Sequence, residues 1–160
     1  MMSLLLRTAA FLIIAPGTII VGVPALIIWL TGGSMANPAV AAIGWLIFAI
    51  GLAISAWCVL DFVTVGRGTP DPNRPPTRLV VQGLFQIVRN PMYLGGVIAI
   101  VGEAILFLSP LLLVWAGFVL LGFHLRVIMY EEPTLAHAFG TDWKDYQARV
   151  PRWFPRLTSR

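Results

Sequence analysis

The chain reads as an all-α integral membrane protein, with four transmembrane helices in two hairpins and short cytosolic C-terminal helices. Three observations carry that expectation. Hydrophobic residues make up 58% of the 160 and charged residues only 11%, against about 25% charged in a soluble domain. No charge falls between Arg7 and Asp61, and Glu103 is the only one between Arg89 and Arg126. Each apolar block far exceeds the ~20 residues that cross a bilayer, and each carries a central break. One membrane domain follows: a helical hairpin over 1–63, a cytosolic loop over 64–90, and a second hairpin with its C-terminal segment over 91–160.

Span one is expected over Ala9–Leu30, kinked at Pro16 and Pro24, whose freed carbonyls need neighbours or water. The apolar run is too long for a cleavable signal. Thr31–Pro38 is an uncharged turn. Span two covers Ala41–Val63, where Gly44, Gly51 and Ser55 offer a small-residue surface to another helix. Cys58 is the only cysteine, so no disulfide framework or cysteine metal site arises; it reads as a small core residue.

Gly66–Pro76 is too rich in Gly and Pro for regular structure, and Thr77–Gly83 is a short extended piece or interfacial loop. Span three covers Pro91–Leu108, Ser109-Pro110 turns the chain, and span four covers Leu111–Met129, reaching Glu131. Pro133 disfavours helix at Glu132, which would turn that carboxylate toward solvent. Pro133–Phe139 and Asp142–Val150 read as short amphipathic helices divided by Gly140. Pro151–Pro155 reads as an interfacial tail.

Charge placement sets orientation. The two short turns hold no Lys or Arg, whereas the N-terminus, the central loop and the tail hold all eleven. The positive-inside rule then puts both termini and the central loop in the cytoplasm, so loop and tail can build one site together. Arginine makes up all but one of the basic residues, which points to a GC-rich bacterial genome and the inner membrane. With the basic residues flanking the spans, the bilayer surface is the expected partner. No nucleic-acid motif is present.

Two constellations carry chemistry. In Arg89-Asn90-Pro91-Met92-Tyr93, Asn90 suits a helix cap and Pro91 the first helical position. A helix start offers free N–H groups and partial positive charge to an anion, Arg89 adds a full charge, and Tyr93 offers a ring and a hydroxyl. The plainer reading is an ordinary capped helix with an interfacial arginine. At the end of span four come His124, Arg126, Tyr130, Glu131 and Glu132. The adjacent carboxylates suit a cation such as an ammonium. His124 and Glu131 alone are too few for a metal centre. A zwitterion with a carboxylate and an amine would bridge the two constellations. Glu103, inside span three, takes either a packing or a substrate-tunnel role.

Arg89-Asn-Pro-Met-Tyr-Leu-Gly95 resembles the Arg-His-Pro-x-Tyr-x-Gly motif of the isoprenylcysteine carboxyl methyltransferase and phospholipid methyltransferase superfamily. Glu131-Glu132, Leu135, Phe139-Gly140, Tyr146 and Val150-Pro151 resemble that family's C-terminal signature. The resemblance covers Arg78–Pro155. It implies an S-adenosylmethionine-dependent membrane methyltransferase whose cofactor pocket lies between the last two spans and the C-terminal segment. Lipid or isoprenoid-linked substrate would enter from the bilayer, and no metal is required. Carried over, Arg78, Leu79, Val80, Phe85, Asn90, Pro91, Met92 and Tyr93 would line the cofactor, with Arg89 beside them and Glu131 closing the pocket. Asn90 stands where the motif has His and cannot titrate. The family's substrate-contacting arginine falls nearest Val127, with Arg126 adjacent. A carboxylate acceptor needs no base; an amine acceptor would need His124, Glu131 or Glu132. Two other readings stay open: a sterol-type membrane reductase using NADPH, and a non-catalytic four-helix membrane protein.

Overall fold

The computed structural model describes residues 16–66 and 78–156. Arg7, the first part of span one, and the loop with Arg74 lie outside them. Every regular element among the described residues is helical. A wide π-turn, Thr18–Gly22, leads into α1 (Val23–Thr31); α2 is Pro38–Thr64. A 3-10 turn, Gly83–Gln86, precedes α3 (Pro91–Leu106) and α4 (Pro110–Arg126). A second π-turn, Val127–Glu131, joins α4 to α5 (Glu132–Arg149).

Two helical runs are long and apolar enough to cross a membrane: Pro38–Thr64, of 27 residues, and the continuous run Pro110–Arg149, of 40. Thr18–Thr31 and Pro91–Leu106 are apolar but shorter. The 16 residues of α3 span about 24 Å, against a hydrocarbon core of about 30 Å.

The break expected before Pro133 is absent, and the reason is local. The Glu132 N–H donates to Val127 O, five residues back. The widened turn precedes Pro133, which sits in the first turn of α5, where a missing N–H is tolerated. The same device occurs near the N-terminus. The Val23 N–H donates to Thr18 O, and Pro24 follows at once. Ile19 O thereby loses both intrahelical donors, because the Val23 N–H is committed and Pro24 has none. Trp115 on α4 supplies the replacement, its indole N–H reaching Ile19 O at 3.0 Å. Gly140, at φ 52° and ψ −116°, kinks α5 where the division was expected.

The closest pairing lies between α2 and α3, across the two expected hairpins. Its cause is a row of small residues on both helices. A Cβ at Gly51 would lie 2.5 Å from Ala99 N and from Gly95 O, and one at Gly44 would lie 2.7 Å from Leu106 N. Gly95 and Gly102, seven apart, thus answer Gly44 and Gly51, also seven apart, and the backbones nearly touch. The first helix does not take α2 as its main partner. Ile20 packs with Ala99 and Ile100 of α3 and Ala116 and Val119 of α4. So α3 is central, and its N-terminal end carries the Arg89–Tyr93 motif.

Candidate functional site

The loop before α3, the end of α4, α5 and the tail converge at one end of the bundle. The Arg89 N–H donates to Pro151 O at 2.8 Å, and the buried Tyr146 hydroxyl donates to Phe85 O at 2.7 Å. The expected meeting of central loop and tail is therefore present.

Pro91 begins α3, but Asn90 does not cap it. Its amide instead donates from Nδ2 to Arg152 O at 3.3 Å. The first backbone bond of the helix is Leu94 N–H to Asn90 O. The first-turn N–H groups of Met92 and Tyr93 thus lack the side-chain acceptor expected from the sequence.

Glu132 is not turned to solvent. Continuous helix through Pro133 aims it at the loop, where it lies between two arginines with only 13% of its side chain exposed. Arg152 donates from Nε to Oε1 at 2.7 Å and from Nη2 to Oε2 at 2.9 Å. Arg89 Nη1 sits 3.0 Å from Oε1, a charge contact without hydrogen-bond alignment, and the buried Arg89 Nε has no partner. The Arg89 guanidinium lies 5.5 Å from the centre of the Trp143 ring. Burial pulls the Arg89 pKa below its usual value, and the Glu132 charge opposes that pull. The hydrogen bond to Glu132 holds the Arg152 pKa up. Two guanidinium groups on one carboxylate leave a net positive charge beside the uncapped start of α3.

A second cluster lies between α3 and the π-turn. The Tyr93 hydroxyl donates to Glu131 Oε1, and Arg126 Nε donates to the same oxygen at 2.8 Å. The Tyr93 ring stacks on Phe123 at 4.3 Å between centroids, and the Arg126 guanidinium lies 5.6 Å from the centre of the Tyr130 ring. Both bonds to Glu131 fall on one oxygen. Val127 is buried at 1% exposure, and its neighbour Arg126 faces Glu131. His124 turns elsewhere, accepting at Nδ1 from the Trp153 indole at 3.1 Å.

The remaining expected positions divide. Val80 and Phe85 are buried with Cys58, and Met92 packs against them. The Phe85 ring meets Phe62 edge-on at 5.5 Å. Leu79 packs on the Trp143–Tyr146–Val150 cluster. Arg78 is exposed and lines, with Leu79, Tyr146 and Arg149, a groove of about 460 Å³. Sequence reasoning passed over Phe123, Trp143, Arg152 and Trp153. One signal was available: a carboxylate pair beside a membrane needs countercharge, and Arg152 stands in the nearby tail.

The sequence profile of the phospholipid methyltransferase family matches residues 39–142. The chain belongs to that family. Among similar proteins, protein-S-isoprenylcysteine O-methyltransferase B of Arabidopsis thaliana is 35% identical over 78 residues, which cover 49% of this chain and 40% of that protein. Protein-S-isoprenylcysteine O-methyltransferase of Dictyostelium discoideum is 31% identical over 79 residues, 49% of this chain and 33% of that one. Methanethiol S-methyltransferase 2 of Bradyrhizobium diazoefficiens is 34% identical over 77 residues, 48% and 29% of the two chains. This phospholipid methyltransferase family member thus matches well under half the length of each of these relatives.

Proposed function

We propose that the chain is a membrane methyltransferase that takes S-adenosylmethionine as donor and a lipid-borne or isoprenoid-linked acceptor. One juxtaposition carries the reading: a buried Arg89 with a free Nε stands beside the uncapped start of α3, and the α3 residue Tyr93 reaches Glu131. The donor set fits a methionyl group. Arg89 and the Met92 and Tyr93 N–H groups would hold its carboxylate, and Glu131 would pair with its ammonium through the oxygen that Arg126 and Tyr93 leave. Arg78, Leu79, Val80, Phe85, Asn90 and Pro91 complete the proposed cofactor-binding set, the buried ones by shaping its wall. When bound, S-adenosylmethionine supplies an electrophilic methyl group.

The chain's own residues favour an acceptor that arrives already ionised. Of the three candidate bases, Glu132 is held by two arginines, Glu131 by Arg126 and Tyr93, and His124 by Trp153. A carboxylate or thiolate needs no base, whereas an ammonium must lose a proton first. The O- and S-methyltransferase names of the relatives agree with that preference. Glu132 then acts by holding the tail, and Arg126 by orienting Glu131; catalysis rests on positioning and on exclusion of water.

The proposed setting is a bacterial inner membrane, with one domain of four spans in two hairpins and both termini cytoplasmic. Its support is the charge distribution and the clustering of both polar segments at one end of the bundle. The deciding experiment is calorimetric titration of the purified protein with S-adenosylhomocysteine, followed by methyl transfer to three acceptors: an S-prenylcysteine, a thiol and an aminophospholipid. Saturable binding with transfer to the first or second is expected. Absence of binding would overturn the donor, and transfer to the amine alone would overturn the acceptor.

A further inference from the structure

The tail is fixed on the candidate site by bonds that do not involve Trp153. Pro151 O accepts from the Arg89 N–H, Arg152 O accepts from Asn90, and the Arg152 side chain grips Glu132. Val150, just before them, is buried at 8% exposure. These anchors set where the indole of Trp153 lies, and its Nε1 stands 3.1 Å from His124 Nδ1. An indole nitrogen only donates. His124 Nδ1 must therefore present its lone pair, and the neutral ring must carry its proton on Nε2. Nε2 takes no protein partner among the described residues.

We infer that Trp153 is a positioning residue that locks His124 as the Nε2–H tautomer, so that this histidine offers a hydrogen bond from Nε2 and cannot act as a base. Taking up a proton would require Nδ1 to release Trp153. The tautomer stands on geometry alone; its bearing on turnover rests on the methyltransferase reading above.

The test uses the full chain in nanodiscs with 15N-labelled histidine. His124 and His137 are the only two histidines, and His137→Gln leaves a single ring to assign. The expected spectrum shows a protonated Nε2 and an unprotonated, hydrogen-bonded Nδ1. Trp153→Phe keeps the ring and removes the N–H, so a mixture of tautomers should appear. In the same variant kcat should fall about tenfold, the size of one weakened hydrogen bond, with S-adenosylhomocysteine affinity little changed. His124→Gln, which can place an amide donor near the Nε2 position, should retain more activity than His124→Asn. An Nδ1–H tautomer in the wild type would overturn the inference without any variant. So would an unchanged tautomer in Trp153→Phe, or a lost tautomer with undiminished kcat. Failure of the methyltransferase reading is separately visible, as absent S-adenosylhomocysteine binding with the tautomer intact.

Discussion

Arg152 grips Glu132 in parallel, Nε to Oε1 at 2.7 Å and Nη2 to Oε2 at 2.9 Å. The pair joins the tail to the first turn of α5, and Arg89 closes on the same carboxylate from the central loop. Removing Glu132 leaves two guanidinium groups facing each other, one of them 8% exposed. Glu132→Ala should therefore destabilise the protein by about 3 kcal/mol, as expected when one member of a largely buried pair is deleted. Thermal unfolding in detergent checks the loss, and limited proteolysis should show the tail cut first.

Glu131 should behave differently. Its pairing with Arg126 is partly exposed, at 41% and 25% for the two side chains, so Glu131→Gln should cost little stability, under about 1 kcal/mol. Affinity for S-adenosylhomocysteine should drop at least tenfold, which needs only about 1.4 kcal/mol. Calorimetry on both variants separates the two proposed roles, cofactor affinity at Glu131 and anchoring of the tail at Glu132.

The α2–α3 contact predicts a sharp contrast among glycines. Gly51→Leu places side-chain atoms where Ala99 and Gly95 backbone already stands, and should destabilise by about 3 kcal/mol or more. Gly117→Ala and Gly122→Ala on α4 meet nothing within 4 Å and should stay within about 0.5 kcal/mol of the wild type. Denaturant unfolding of the three variants in one detergent measures the difference.

Trp115→Phe removes one hydrogen bond and little volume. Ile19 O would then be left without its donor, at a cost of about 1–3 kcal/mol. The expected outcome is a lower unfolding temperature with unchanged S-adenosylhomocysteine affinity, because the contact lies away from the candidate site.

Orientation can be checked by labelling. Cys58 is fully buried and should resist a membrane-impermeant maleimide. Single cysteines at positions 74 and 156, placed in a Cys58→Ala background, should label only after the cytoplasmic face is opened. Labelling of intact cells at either position would separate the loop from the tail and end the shared-site reading.

Much of the helical layout was legible because charge and apolar runs report directly on burial in a bilayer. Gly44 and Gly51 announced a close helix contact, but its partner, the Gly95–Gly102 face of α3, emerges only from the structure. Pro133 misled for a physical reason. A proline removes one N–H, but a widened turn before it can absorb the loss, and nothing local in the sequence distinguishes that from a break. Asn90 misled likewise, since its preference for capping yields to a carbonyl brought in from Arg152, 62 residues away. The Glu132 clamp was hidden because both arginines reach it through tertiary structure.

The bond from Trp115 to Ile19 O also has a timetable. The two residues are separated by 96 positions, which ribosomes cover in about 5–20 s at about 5–20 residues per second. For that interval the newborn first helix holds a carbonyl whose permanent donor has not been synthesised. Until then the insertion machinery or water must shelter it, so the turn before α1 is completed only by a helix synthesised much later.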